Sequence, residues 1–289
     1  MPLTIQNIIA NNARGFYYGL SPVNYLVDDY SPQYAYSLRK LSSATTNVIR
    51  VRRSSDSTES DFSASEITDG TMLTWVGAGN GRVVKWYNQG TALTTYDLTQ
   101  TTATNQPRIV ISGVLQTKGG LPCVDFDGTD DYLQNASGAT NTEWSFFSVS
   151  STDTTETVGA VCGMSDSTVN SIKIWHDTRT GNKLNLNVQN SSGTSYQAEM
   201  SAQRIDTNQR LLSSVIDASK NMSAFDNGAT GGTATYTGTT AIDGIIMGAQ
   251  YTPKNFLNGT IQELIIFKTD KSTDRVAIQN EINGHYSIY

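Results

Sequence analysis

From Leu121 onward the chain is a succession of short β-branched and aromatic segments cut by turn residues, and this rhythm restricts the fold more than any other feature. The runs 121–126, 144–149, 171–175, 184–188, 211–216, 222–225, 245–248 and 261–267 each have the length of a strand. Ser192-Gly193 and Asp226-Asn227-Gly228 between them supply residues that tolerate a positive φ, as hairpins require. Many short strands with glycine-bearing turns and almost no helical period predict an antiparallel β-sandwich.

The first half reads the same way, with strands expected at 48–51, 72–76 and 82–87. Gly77-Ala78-Gly79-Asn80-Gly81 between the last two is a loop; a phosphate cradle would need a helix after it, and Val83-Val84-Lys85-Trp86 is strand-like. One helix is expected near the C-terminus. Ser272-Thr273-Asp274 offers capping oxygens, Ile278 and Ile282 share a face, and Asn283-Gly284 reads as the stop. Residues 1–33, with Phe16-Tyr17-Tyr18-Gly19, Ser21-Pro22 and Ser31-Pro32, read as an arm that docks on a partner or packs on its own body; residues 34–289 form the sandwich.

Composition narrows the function classes. Only 16 % of residues are charged, and the net charge is −6, so the clustered Lys and Arg that displace counterions from nucleic acid are missing. The one basic run, Arg50, Arg52 and Arg53, alternates as a strand with one charged face would. Cys123 and Cys162 are far apart and read as buried small apolar residues rather than a disulfide framework. The N-terminus lacks the basic and apolar regions of a secretory signal, and no stretch has the length of a membrane span.

Several elements carry a family resemblance. Val124-Asp125-Phe126-Asp127-Gly128-Thr129-Asp130-Asp131-Tyr132-Leu133, Trp144-Ser145-Phe146-Phe147, Val215-Ile216-Asp217 leading to Phe225-Asp226-Asn227-Gly228, and Leu257 to Phe267 resemble the laminin G-like branch of the concanavalin A-like lectin and glucanase superfamily. Ala35 to Leu41, Ile49 to Asp56, Trp86-Tyr87-Asn88-Gln89 and Gln106 to Val110 resemble the catalytic domain of arabinofuranosidase B and the non-enzymatic relatives of that domain in bacteriophage structural proteins. Together the likenesses span residues 34–289. They imply an all-β, antiparallel jelly-roll β-sandwich (concanavalin A-like) with one short C-terminal helix.

Chemistry is harder to place. A glycosidase needs two carboxylates across the scissile bond, and the strand-borne acids are Asp125, Asp127, Glu199, Asp217 and Glu263. The adjacent cysteine pair of the arabinofuranosidase family is absent, and that family's acids have no matching motif here. His176 and His285 are the only histidines, which leaves no triad or zinc site. The resemblance admits calcium, with Asp127, Asp130 and Asp131 as ligands; an Asx turn bonding its own backbone is the competing reading. Sugar binding would use aromatic platforms beside amides and acids. Trp175, His176, Asp177 and Arg179 form one such loop cluster and Tyr251 with Asn255 another, whereas Trp75, Trp86 and Trp144 fall in core patterns.

These readings lead to an expectation of a non-catalytic bacteriophage virion protein, a head or tail fibre or a decoration protein. It would sit on the virion surface as a homo-oligomer, a trimer by family analogy, contacting other virion proteins and a host cell-surface glycan. An arabinofuranosidase-type glycoside hydrolase and a secreted adhesive lectin are the alternatives.

Overall fold

The protein is described from a computed structural model that covers residues 24–137, 141–152, 158–165, 171–177, 183–199, 207–239, 244–250 and 253–289. In chain order the elements begin with α1 (Leu26–Tyr30), β1 (Tyr34–Ser37), β2 (Ile49–Arg53), β3 (Glu59–Phe62), α2 (Ala64–Thr68), α3 (Thr71–Val76) and β4 (Gly81–Trp86). Short strands follow: β5 (Leu98–Thr99), β6 (Arg108–Ile111), β7 (Val114–Leu115), β8 (Thr117–Lys118), β9 (Leu121–Pro122), β10 (Val124–Asp127) and β11 (Leu133–Asn135). The longer strands are β12 (Trp144–Thr152), β13 (Val158–Ser165), β14 (Ser171–Asp177), β15 (Lys183–Gln189), β16 (Ser195–Glu199), β17 (Arg210–Ile216), β18 (Asn221–Asp226) and β19 (Ala229–Thr235). After β20 (Ile245–Met247) and β21 (Asn258–Phe267), the chain ends in α4 (Arg275–Tyr286).

All described pairings are antiparallel, as expected for an all-β jelly roll. One wall runs β19-β18-β17-β12-β21, and the far edge of β21 takes both β1 and β10. From β10 the ladder passes through β6, β4 and β5 to β11, then along β20-β13-β14-β15-β16 in the second wall. The two ends of the ladder, β16 and β19, then come close together, so the sandwich is nearly closed. The Asn227-Gly228 hairpin has φ of 49° and 76° at its two central residues, the left-handed geometry that its sequence requires.

Two apolar layers hold this architecture. The larger fills the sandwich, with Phe146, Leu212, Ile216 and Leu264 from one wall facing Ile172, Leu184, Leu186 and Val188 from the other. The smaller lies outside the first wall, where Phe147, Val149, Ile265 and Phe267 meet Leu26 and Val27 of α1 and Ile278, Ile282 and Tyr286 of α4. Side chains alternate along a strand, so Leu264 and Ile266 enter the inner layer while Ile265 and Phe267 enter the outer one. Fully burying Ile278 and Ile282 is worth about 1.5–3 kcal/mol each, which pins α4 to the sheet. Trp86 and Trp144 are wholly buried in the core, and Cys123 and Cys162 are buried, all as expected.

Three departures from expectation have physical causes. The segment expected as a strand at 72–76 is the helix α3: Met72 and Val76, four residues apart, are buried together, and Trp75 lies half-buried, edge-on to Phe62 with the Arg53 guanidinium over its ring at 4.8 Å. A short apolar run does not distinguish the two periods. Next, α2 was not foreseen, although Ser63 and Glu66 form a reciprocal capping box whose four-residue signature stands in the sequence. Finally, α4 runs through Asn283-Gly284 to Tyr286 and stops at Ser287 in a left-handed conformation, and Asp274 caps no backbone N–H with its side chain. Asn283 instead binds the tail, accepting from the Ile288 and Tyr289 N–H groups. The described part of the N-terminal arm packs on the body, with the Val27 N–H donating to the Leu41 carbonyl at 2.9 Å. Residues 1–23 lie outside the described residues.

Candidate functional site

Strands β14, β15 and β16 carry the clearest alternation in the molecule. Ile172, Ile174, Leu184, Leu186, Val188 and Ala198 point into the core. The intervening positions are Ser171, Lys173, Asn185, Asn187, Gln189, Gln197 and Glu199, and they share the opposite face. Pairing sets Lys173 opposite Asn187 and Asn187 opposite Gln197; in the next row Asn185 lies opposite Glu199. Outward residues of a sandwich are ordinarily wet. Here Lys173 is 5 %, Asn185 0 % and Asn187 1 % exposed, while Gln189, Gln197 and Glu199 are half-buried. Among the described residues, Asn187 Oδ1 and Ser171 Oγ are buried with no hydrogen-bond partner. A buried polar atom left unsatisfied costs about 1–3 kcal/mol.

Part of one expected sugar-binding cluster falls on a strand. Trp175, His176 and Asp177 lie within β14, so the strand extends two residues past its expected end. The register places Trp175 opposite Asn185, and Asp177 opposite Lys183. Arg179 and Tyr251 lie outside the described residues. Asn255 is a turn residue with φ of 52°: its side chain donates to Gln250 Oε1 at 2.6 Å and its carbonyl accepts from Ala160 N. The signal that sequence reading missed was the choice of amides, rather than charges, at the outward positions of Leu184-Asn185-Leu186-Asn187-Val188.

The acids singled out in the sequence serve the fold in several ways. Asp125 pairs with Arg108 at 3.1 Å. Asp217 accepts from the backbone N and side-chain Nδ2 of Asn221 across a turn. Glu263 is wholly buried and accepts from Arg39, the Ser37 hydroxyl and the Tyr286 hydroxyl. Asp127 Oδ1 accepts from Thr129 N at 2.9 Å, which is the Asx turn. Glu199 is the strand-borne acid on the polar face.

The Asp127, Asp130 and Asp131 carboxylates can bring one oxygen each within 4.8 Å of one another. Asp131 is buried; its Oδ2 accepts from Asp127 N at 3.2 Å and its Oδ1 has no hydrogen-bond partner. Burial first, then the Asp127 charge, pushes the Asp131 carboxyl up to about 7. An all-oxygen set suits a hard cation such as calcium, but these three groups are only part of its six to eight ligands. The hydrogen bonds present are those of the backbone-capping turn.

No protein-family model and no curated protein matches the sequence. Solved structures do match the fold. An arabinofuranosidase complexed with arabinofuranosyl-alpha-1,2-xylobiose superposes with a TM-score of 0.66 at 14 % identity over 87 % of this chain and 62 % of its own. A glycoside hydrolase family 54 α-L-arabinofuranosidase variant soaked with 4-nitrophenyl α-L-arabinofuranoside gives 0.63 at 14 % identity, with the same coverage of both chains. The chain therefore spans about three fifths of the length of these enzymes. The expectation of a non-catalytic chain is overturned by this comparison, because the solved structures that share its fold almost end to end are glycoside hydrolases.

Proposed function

We propose that the protein is a carbohydrate-active β-sandwich that hydrolyses α-L-arabinofuranosides at the polar face of β14–β16. The observation that carries this reading is the fold held in common with arabinofuranosidases, with the half-buried Gln189, Gln197 and Glu199 on the face opposite the core. Amide and carboxylate groups are the side chains that bond sugar hydroxyls. Hydrolysis needs two carboxylates; we assign them to Glu199 and to Asp177, two residues beyond Trp175 on β14. Virion display, a trimeric state and a host glycan rest on the sequence resemblance alone.

Release of nitrophenolate from 4-nitrophenyl α-L-arabinofuranoside tests the proposal. Wild-type turnover is expected, with Glu199→Gln slowed by a factor on the order of 100 or more while the fold is retained by circular dichroism. An inactive wild type, or full activity in both Glu199→Gln and Asp177→Asn, would overturn it.

A further inference from the structure

A groove of about 250 Å³ opens where the turn after β1, α2, the β8–β9 hairpin and the last turn of α4 meet. Its floor is apolar, built from Leu38, Leu121 and Pro122, and its rim carries Arg39, Lys40 and His285. The Arg39 guanidinium is bound side-on by Glu263 through Nε and Nη2, and among the described residues the Nη1 end has no hydrogen-bond partner. Lys40 is exposed and lies over the Tyr25 ring at 5.4 Å; His285 stands edge-on to Tyr286 and makes no hydrogen bond. The volume lies just below the range of ordinary small-molecule sites and suits one monosaccharide-sized group.

We propose that this groove binds a carboxylate-bearing sugar unit, a hexuronate, with its ring on the apolar floor and its carboxylate between Arg39, Lys40 and His285. The site is separate from the polar face of β14–β16 and does not depend on activity there. A carboxylate matches the remaining edge of the guanidinium, where Nη1 and Nη2 each present one N–H in parallel. Four other charged groups face this region. Glu263 is spent on Arg39, Ser37 and Tyr286. Asp28 is turned to Ser42 and Ser43. Glu281 and Asp29 lie near enough to act through space, and burial raises the Glu281 carboxyl. Burial, and then Arg39, hold His285 below its ordinary value, so it is neutral at neutral pH. Acidification therefore adds a charge on His285 and removes one from Glu281, while a uronate stays ionised; binding tightens as pH falls.

Titration of the full chain with glucuronate and with glucose, followed by the His285 imidazole resonance, at about pH 5 and about pH 8, tests this. Glucuronate is expected to shift the resonance and to bind several-fold tighter at the lower pH, with glucose inert. Lys40→Met should weaken binding at both pH values, and His285→Gln, followed by calorimetry, should shrink the pH step to the part left by Glu281. No glucuronate binding at either pH, equal binding of glucose, or a pH step undiminished in His285→Gln would overturn the proposal. Arabinofuranoside turnover is expected to be unchanged in both variants, so a failure here is separable from a failure of the hydrolase reading.

Discussion

Arg39 and Glu263 meet in a bidentate pair, Nε to Oε2 at 2.8 Å and Nη2 to Oε1 at 3.0 Å, with the glutamate wholly buried beneath α4. Burial opposes the Arg39 charge most, yet the charge and hydrogen bonds of Glu263 outweigh it and hold the guanidinium above its ordinary value. Removing one partner of a buried pair strands the other, at a cost of about 3–5 kcal/mol. Glu263→Gln should therefore lose that much in a urea titration, far more than a surface substitution such as Glu59→Gln. A loss under about 1 kcal/mol would mean that the pair is solvated.

The seam between β16 and β19 depends on Gly232. A Cβ built there would collide with the Glu199 carbonyl oxygen, a backbone atom that has little room to give. Gly232→Ala is expected to destabilise the fold by about 1–3 kcal/mol. The contrasting case is Gly284, inside α4 with nothing near its Cβ position, where alanine should stabilise by about 0.5–1 kcal/mol. Thermal unfolding of the two variants checks both signs.

Asp131 makes stability depend on pH in the unusual direction for an aspartate. Its carboxyl is pushed up to about 7 in the fold from an ordinary 3.8. Between those values the folded state holds a proton that the unfolded state has released, so stability falls as pH rises through this window and levels off above it. Asp131→Asn keeps an acceptor for Asp127 N and removes the titration. The variant should match wild type near pH 3.8 and exceed it at neutral and higher pH, by an amount on the order of a few kcal/mol at most. Denaturant midpoints across that range give the answer, and parallel profiles would refute it.

Strands were legible in the sequence wherever alternation or β-branching ran unbroken. The runs that became β12, β15, β17 and β21 are in place, as is the Asp226-Asn227-Gly228 hairpin between β18 and β19. In α4, the pairing of Ile278 with Ile282 held because four-residue spacing on an otherwise polar segment has one reading. The stop at Asn283-Gly284 failed because Asn283 finds its partners in the tail, a contact that local propensity does not encode. The candidate site was less legible. Alternation showed that Asn185 and Asn187 share a face, but not that this face is buried, since burial is a property of what comes to lie against it.

In β21 nearly every residue is buried, and the strand joins β12 on one edge to β1 and β10 on the other. Its partners begin at residue 34, yet the strand itself is not reached until residue 258. During synthesis, the edges of β1, β10 and β12 thus wait unpaired while most of the chain emerges. Such a protein is exposed to strand mispairing for longer than one whose central strand comes early, and its yield should respond strongly to chaperones and to slower translation.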